Sequence, residues 1–240
     1  ILFNSELPMY LKNTFIIWMM GFIPQMFFSL LLASWFTDLR LRLKCTGFFK
    51  TVIYMPNLIM ASAFSMLFYT IFSDVGPINN LLNSMGLPTY RFLAEVAGAR
   101  GLIALMNFLM WFGNTTIVLM AGIMGIDTGI MEAARIDGSG EFRTFNSIVL
   151  PIMKPAVAVQ AIFTFVGSWN NYFVPALIIQ SKSKMTVPIL IATLRGADYM
   201  NFDMGKIYMM ITVAIVPIII VYLLLSKYII AGVTLGGVKE

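Results

Sequence analysis

A chain of 240 residues with only 11% charged and 59% hydrophobic side chains has too little polar surface for a water-soluble domain, which carries about a quarter charged residues. Its net charge of +5 is spread among short loops, so it forms no nucleic-acid patch and suits anionic lipid headgroups instead. The absence of histidine, and a single cysteine at Cys45, exclude imidazole metal sites, histidine proton relays and an internal disulfide.

Five runs of 20 to 27 residues carry no formal charge: 13–37, 51–73, 101–126, 155–181 and 207–226. About 20 apolar residues at helical rise cross a bilayer core, so each run reads as a transmembrane helix. Barrel strands are about ten residues long and alternate, and these runs do neither. The first run has no basic flank ahead of it and no small-residue cleavage pattern, so it is not a signal peptide. The expected fold is an all-α integral membrane bundle, a single transmembrane domain over 1–240. A soluble helical protein would leave these runs with almost no polar surface to cover them.

The first loop carries Arg40, Arg42, Lys44 and Lys50 against one acid, Asp38, and by the positive-inside rule it faces the cytoplasm. Alternation then puts 74–100 and 182–206 outside, and 127–154 and the tail 227–240 inside. Residue 1 falls outside and is not methionine, so a further helix is expected before it, making five visible spans of six. Pro24, Pro56, Pro175 and Pro217 lie inside the spans, where proline kinks a helix. Such kinks suit a gating bundle, although proline is also commoner in membrane helices generally. Ala121 and Gly125 are spaced for close helix contact.

Polar and aromatic residues interrupt two spans: Trp111 and Asn114 in the third, and Trp169, Asn170, Asn171 and Tyr172 in the fourth. Amides bond hydroxyls and aromatic faces cover sugar rings, so these six are candidates for a translocation path or gate. The same groups serve equally for bonds between helices or an interfacial aromatic belt.

Between the third and fourth spans, Glu132–Arg135 favours helix, Asp137-Gly138 breaks it, and Ser139, Gly140 and Glu141 open a second polar start. Phe142, Phe145, Ile148 and Val149 return at helical spacing, and Pro151 and Pro155 mark the next span. Two short helices around a glycine turn are predicted near the cytoplasmic surface. Composition alone also fits a loop that merely joins two spans. The outer loop 182–206 offers Arg195, Asp198, Tyr199, Asn201 and Asp203 as polar contact groups, and its apolar run 187–194 suits an interfacial half-helix.

No Walker motif or Gly-rich phosphate loop is present, and the acids lie in loops without a nucleophile–base pair, which argues against an enzyme. An ion-coupled secondary transporter needs acids or broken-helix ion sites within the membrane, and the uncharged spans argue against that too.

The inner loop fills every position of a long signature: Glu132-Ala133-Ala134, three residues, Gly138, nine residues, Ile148, one residue, Leu150-Pro151. Together with FTFVGSWNNYFVPALI (163–178), TVPILIA (186–192) and the ending YIIAGVTLGGVKE (228–240), it makes the chain resemble the permease subunits of binding-protein-dependent ABC sugar importers. The likeness is to the maltose-type branch with a short Gly-rich tail, and it covers essentially the whole chain.

The resemblance implies a MetI-like permease bundle, normally of six helices, in the bacterial inner membrane. It implies a coupling helix that docks on a cytoplasmic ATPase dimer through Glu132, Ala133, Ala134, Arg135, Asp137, Gly138 and Gly140. The tail residues Gly236, Gly237 and Lys239 would reach into that dimer. The outer loop would approach an extracytoplasmic solute-binding protein. A second homologous permease would complete the path and hold most direct ligand contacts. The cargo would be a mono- or oligosaccharide. ATP and Mg would be bound by the partner ATPase and no cofactor by this chain. The same architecture could import glycerol phosphate or a polyamine, but charged cargo would favour charged residues in the spans.

Overall fold

The computed structural model describes residues 6–38, 44–179, 181–196 and 204–236. Secondary structure there is helical throughout, in the order α1 (Leu7–Thr37), α2 (Thr46–Leu58), α3 (Ala61–Ile71), α4 (Pro77–Ser84), α5 (Val96–Met124), α6 (Thr128–Ile136) and α7 (Glu141–Thr144). A π-helical turn (Phe145–Val149) then leads into α8 (Leu150–Ile152), α9 (Lys154–Trp169) and α10 (Phe173–Ile178). A 3₁₀ turn (Lys182–Lys184), α11 (Val187–Gly196) and α12 (Met204–Gly236) complete the order.

Among the described residues, three helices are long and apolar enough to cross a membrane: Leu7–Thr37, Val96–Met124 and Ile207–Ile229 within α12. The number rises to five if each of two bent helix pairs is taken as one span. One bent pair is the second expected span, 51–73, which does not run straight: α2 and α3 meet at 93°. Ile59 and Met60 between them are both extended, with ψ of 134° and 133°, just after Pro56 has removed an amide from the helix ladder. The fourth span also differs from 155–181. Helix already begins at Glu141, bends by 66° at Met153 and stops at Trp169, ahead of the turn-forming pair Asn170-Asn171. The stretch from 227, expected as a cytoplasmic tail, continues α12 as helix to Gly236, while Gly237 and Lys239 lie outside the described residues.

The central post is α5, which touches α1, α2, α3, α9 and α10. Its buried face carries Ala99, Ile103, Met106 and Met110 toward Ile17 of α1, Phe64 of α3, and Val174 and Ile178 of α10. Lower on the same helix, Leu119 and Met120 meet Met26 and Ala33 of α1 together with Val149 and Met153. Unbranched methionines, Met106, Met110, Met120 and Met153, fill the spaces between these helices. A third cluster joins Tyr10, Phe165, Trp169, Val187 and Ala214, tying α9 to α12 and α11. Met131 of α6 packs on the second cluster, and Asn13 of α1 bonds the 183–185 backbone. The loop 127–154 and the 182–187 segment therefore pack toward opposite ends of α1, near Ala33 and at Asn13 respectively, about 30 Å apart at helical rise.

The backbones of α5 and α2 approach closely at Gly113. A methyl group at Gly113 would lie 2.0 Å from the Ile53 carbonyl oxygen, so no side chain fits there. At Gly101, also in α5, the nearest atom to such a methyl is the end of Met20 at 4.0 Å. Gly113→Ala should therefore lower the thermal midpoint of the purified protein, with a cost of about 1–3 kcal/mol or more because backbone must move. Gly101→Ala should leave it near the parent value. Equal midpoints for the two variants, read by size-exclusion after heating, would contradict this packing.

Candidate functional site

Two cavities divide the six residues singled out for a path. The first, of about 390 Å³, lies between α1, α5 and α9 and is lined by Trp111, Asn114 and Asn171 among others. The second, of about 490 Å³, lies between the end of α9, α11 and α12 and is lined by Trp169, Asn170 and Tyr172 with Pro188, Ile191 and Arg195. Arg195, expected in an outer contact surface, is exposed at this second cavity. Asp198, Tyr199, Asn201 and Asp203 lie outside the described residues.

A chain of polar side chains crosses the first cavity. Gln25 Nε2 donates to Thr115 Oγ1 at 2.8 Å, and that hydroxyl donates to Gln160 Oε1 at 3.2 Å, linking α1, α5 and α9. Asn171 Nδ2 donates to Asn107 Oδ1 at 3.0 Å, while its own Oδ1 accepts the Val174 amide at 3.3 Å. Asn171 thus covers the gap between α9 and α10. Trp169 has a different setting. It is 3% exposed, stacks on Phe165, and donates its indole N–H to the Ala214 carbonyl of α12 at 3.0 Å. It is a contact between helices as well as a cavity wall.

Trp18, Gln25, Asn107, Thr115, Gln160 and Ser168 line the first cavity and were not among the sequence candidates. Each is a single polar or aromatic residue in an uncharged span and attracts no attention alone. The signal is periodic. Positions 107, 111 and 114–115 fall on one face of α5, and 160, 164 and 167–168 follow the same spacing along α9, with 171 just past its end.

The inner loop has the two short helices its sequence predicts. Asp127 opens α6, its Oδ1 accepting the Gly129 amide at 2.9 Å. The helix closes with the Ser139 amide bonded to the Ala134 carbonyl at 2.9 Å, and Gly138 holds φ +75° in the turn. That is a Schellman closure, in which the residue after the helix cap adopts a left-handed conformation. Gly140 is extended ahead of α7, and the Thr144 hydroxyl bonds that of Ser139 at 3.0 Å, locking the turn. Glu132, Ala133, Asp137, Gly138 and Gly140 are exposed, Ala134 is buried against the chain itself, and the Arg135 backbone lies in α6. Ile136 and Phe142 flank the turn with 86% and 84% of their surface open.

At the other end of α1, Asn13 is fully buried, donates to the Ser183 and Met185 carbonyls at 3.0 Å, and accepts from the Arg100 guanidinium. Lys184, 3% exposed, donates to the Leu93 carbonyl at 2.9 Å and to that of Ala94. Burial pushes its amine below the usual lysine range, partly opposed by Glu95. This knot fixes the segment ahead of α11 to α1 and α5. Among the described residues no group of three His, Cys, Asp or Glu is placed to hold a metal ion.

Residues 10–234 match the model of the binding-protein-dependent transport system inner membrane component family. The chain belongs to this family. It is a multi-pass inner-membrane protein. The arabinooligosaccharides transport system permease protein AraQ of Bacillus subtilis is 38% identical over 119 residues, covering 48% of this chain and 41% of that protein. The multiple sugar-binding transport system permease protein MsmG of Streptococcus mutans is 33% identical over 166 residues, covering 68% and 55%. The chain spans about half the length of the curated relatives it matches. The crystal structure of a bacterial ABC transporter that imports the acidic polysaccharide alginate shares the fold, with a TM-score of 0.76 at 24% identity over 94% of this chain and 81% of that one.

The setting of Trp169 in this inner-membrane component gives a graded expectation. Trp169→Phe keeps the stacking and loses one indole bond, costing about 1 kcal/mol. Trp169→Ala empties a buried site and costs about 3–5 kcal/mol. Thermal midpoints of the two purified variants should separate in that order; equal midpoints would show that the indole does not hold α9 to α12.

Proposed function

We propose that this chain is a non-catalytic transmembrane permease subunit of an ATP-driven carbohydrate importer, forming half of the translocation path and coupling it to a cytoplasmic ATPase. The observation that carries this reading is the rigid, outward-facing turn at Gly138. It displays Ile136 and Phe142 beside the exposed Glu132 and Asp137, on a loop that continues as helix into the bundle. Two large apolar side chains that open, locked by backbone bonds, suit a fixed docking surface better than a passive connector. The partners are a cytoplasmic ATPase dimer that binds ATP and Mg, a second homologous permease, and an extracytoplasmic solute-binding protein.

The docking element comprises Glu132, Ala133, Ala134, Arg135, Asp137, Gly138 and Gly140, and lies on the cytoplasmic side as the coupling loop 127–154. The opposite end, 182–206, faces the binding protein through Arg195 with Asp198, Tyr199, Asn201 and Asp203. The tail residues Gly236, Gly237 and Lys239 contact the ATPase, and the Gly-rich ending supports placement in the maltose-type branch. Trp111, Asn114, Trp169, Asn170, Asn171 and Tyr172 border the path or its gate. A carbohydrate cargo is supported by the relatives, which are named for arabinooligosaccharides, starch degradation products and diacetylchitobiose.

Gly138 supplies the test. A methyl there meets nothing within 4 Å, but its φ of +75° strains any side-chain-bearing residue, by about 1–2 kcal/mol. Asn tolerates this conformation better than β-branched Val. Gly138→Val should leave membrane insertion intact while sharply reducing both ATPase co-purification and sugar uptake. Gly138→Asn should retain more of each. Normal uptake and normal ATPase association in Gly138→Val would remove 132–140 from the coupling role.

A further inference from the structure

The cavity between α1, α5 and α9 lies within this one chain. We propose that it is a subsite for a single uncharged, polyhydroxylated ring, a neutral sugar residue, built from this subunit's own helices. The inference rests on the importer reading above and departs from the expectation that direct ligand contacts belong mostly to a second permease. At about 390 Å³ the space falls in the size range of small-molecule sites.

Its chemistry selects the class of occupant. Asn107, Asn114 and Gln160 contribute amides, and Thr164 and Ser168 contribute hydroxyls. Amides and hydroxyls both donate and accept, as sugar hydroxyls require. Trp111 adds an indole that is 46% exposed, a flat apolar surface of the kind that covers a pyranose or furanose face. Among the described residues lining the cavity there is no Asp, Glu, Lys or Arg. A phosphate, carboxylate or ammonium entering it would lose its water without gaining a counter-charge. An acidic saccharide is therefore excluded from this cavity on the same ground.

Two further features belong to the same walls. A methyl group at Gly167 of α9 would meet nothing within 4 Å, so the helix leaves room where a side chain would project. The Trp18 Nε1 and Ser168 Oγ atoms are buried and have no hydrogen-bond partner. Buried polar atoms are nearly always paired, so orphans need an explanation. Trp18 lies on α1 and Ser168 on α9, which pack together. Separation of these two helices on opening of the path would present both atoms to the cavity, where sugar hydroxyls would satisfy them.

The test uses the assembled complex of this chain with its second permease and ATPase, with the binding protein omitted. Equilibrium dialysis measures binding of radiolabelled arabinotriose, maltotriose, raffinose and trigalacturonate, and uptake into proteoliposomes with the binding protein restored is measured in parallel. The expected result is saturable binding of at least one neutral trisaccharide. Gly167→Val should weaken it roughly tenfold by filling the space. Trp111→Ala should weaken it about fivefold, and Trp111→Phe, which keeps an aromatic face, should restore affinity to within about twofold. Uptake with parent-like affinity in all three variants would overturn the subsite and leave the importer standing. Preferred binding of trigalacturonate would do the same. Failure of Gly167→Val to assemble with the second permease would show that a helix of that partner fills the space, again overturning the subsite alone. Absence of uptake for every saccharide would overturn both.

Discussion

A peptide group in hydrocarbon finds no water, so each interruption of a membrane helix must be covered from within the protein. That constraint organises this bundle. Where α2 gives way to α3, Asn57 Nδ2 bonds the Met110 carbonyl of α5 at 3.1 Å, so an amide side chain anchors the end of α2 beside the extended residues 59–60. Where α9 gives way to α10, Asn171 uses both ends of its amide, one on Asn107 and one on the Val174 backbone. The polar side chains of the spans are therefore not scattered. They collect where the backbone breaks and where helices surround a cavity. The same groups serve coverage and candidate binding, because both tasks need amides held in a dry place.

The other requirement is a surface against which broken helices can lean. Helix α5 meets it by being smooth on one side and polar on another. Gly113 lets the α2 backbone settle directly against it, while Asn107, Trp111 and Thr115 turn to the cavity. Helix α12 is the counter-example, since only 11% of its most apolar window is buried inside the chain. Ile219, Ile220, Leu223 and Leu224 are all about half exposed or more. In lipid this carries no hydrophobic penalty, because acyl chains are as apolar as leucine. The Trp169 indole bond, the cluster around Ala214 and the buried Ile207 and Met210 hold α12 to the chain, where it packs on α9 and α11.

The long helices and the inner turn were legible because their signals are local. Uncharged length reads as a span, and Asp137-Gly138 between two helix-forming stretches reads as a turn, which Gly138 then adopts at positive φ. The bends were not legible in the same way. Pro56 marks a weak point, but the 93° angle depends on Ile59 and Met60 becoming extended, and neither residue type announces that. The cavity was half legible. Trp111, Asn114 and Asn171 stand out by type, whereas Gln25 and Gln160 matter only because α1 and α9 face each other across Thr115. Lys184 lies in the 182–206 segment, where nothing in its sequence signals burial, and is buried against two carbonyls. Its long stem makes that burial possible, and only the tertiary fold supplies the carbonyls.

The proposed docking turn and the cavity are joined by one continuous stretch of backbone, and its shape says how a push at one end reaches the other. From α7 the chain passes through the π-helical turn and α8, bends at Met153, and runs along α9 to Gly167 and Ser168. Val149 and Met153 are buried against α1 and α5, which anchors the bend, and α9 beyond it packs on α1, α5 and α12. A rigid helix of 16 residues extends about 24 Å from that point. On the proposed function, a shift of the loop would reach the far end of α9 as a tilt of that helix. The Gln25–Thr115–Gln160 chain reaches α9 at Gln160, between the bend and the break at Asn170, through bonds of 2.8 and 3.2 Å. Such a tilt would strain those bonds, and their amides, Gln25 and Gln160, also line the cavity. On the proposed function, coupling and cargo recognition would draw on the same few side chains, a physical reason for amides rather than charges at the centre of this bundle: an amide can change partners without stranding a charge.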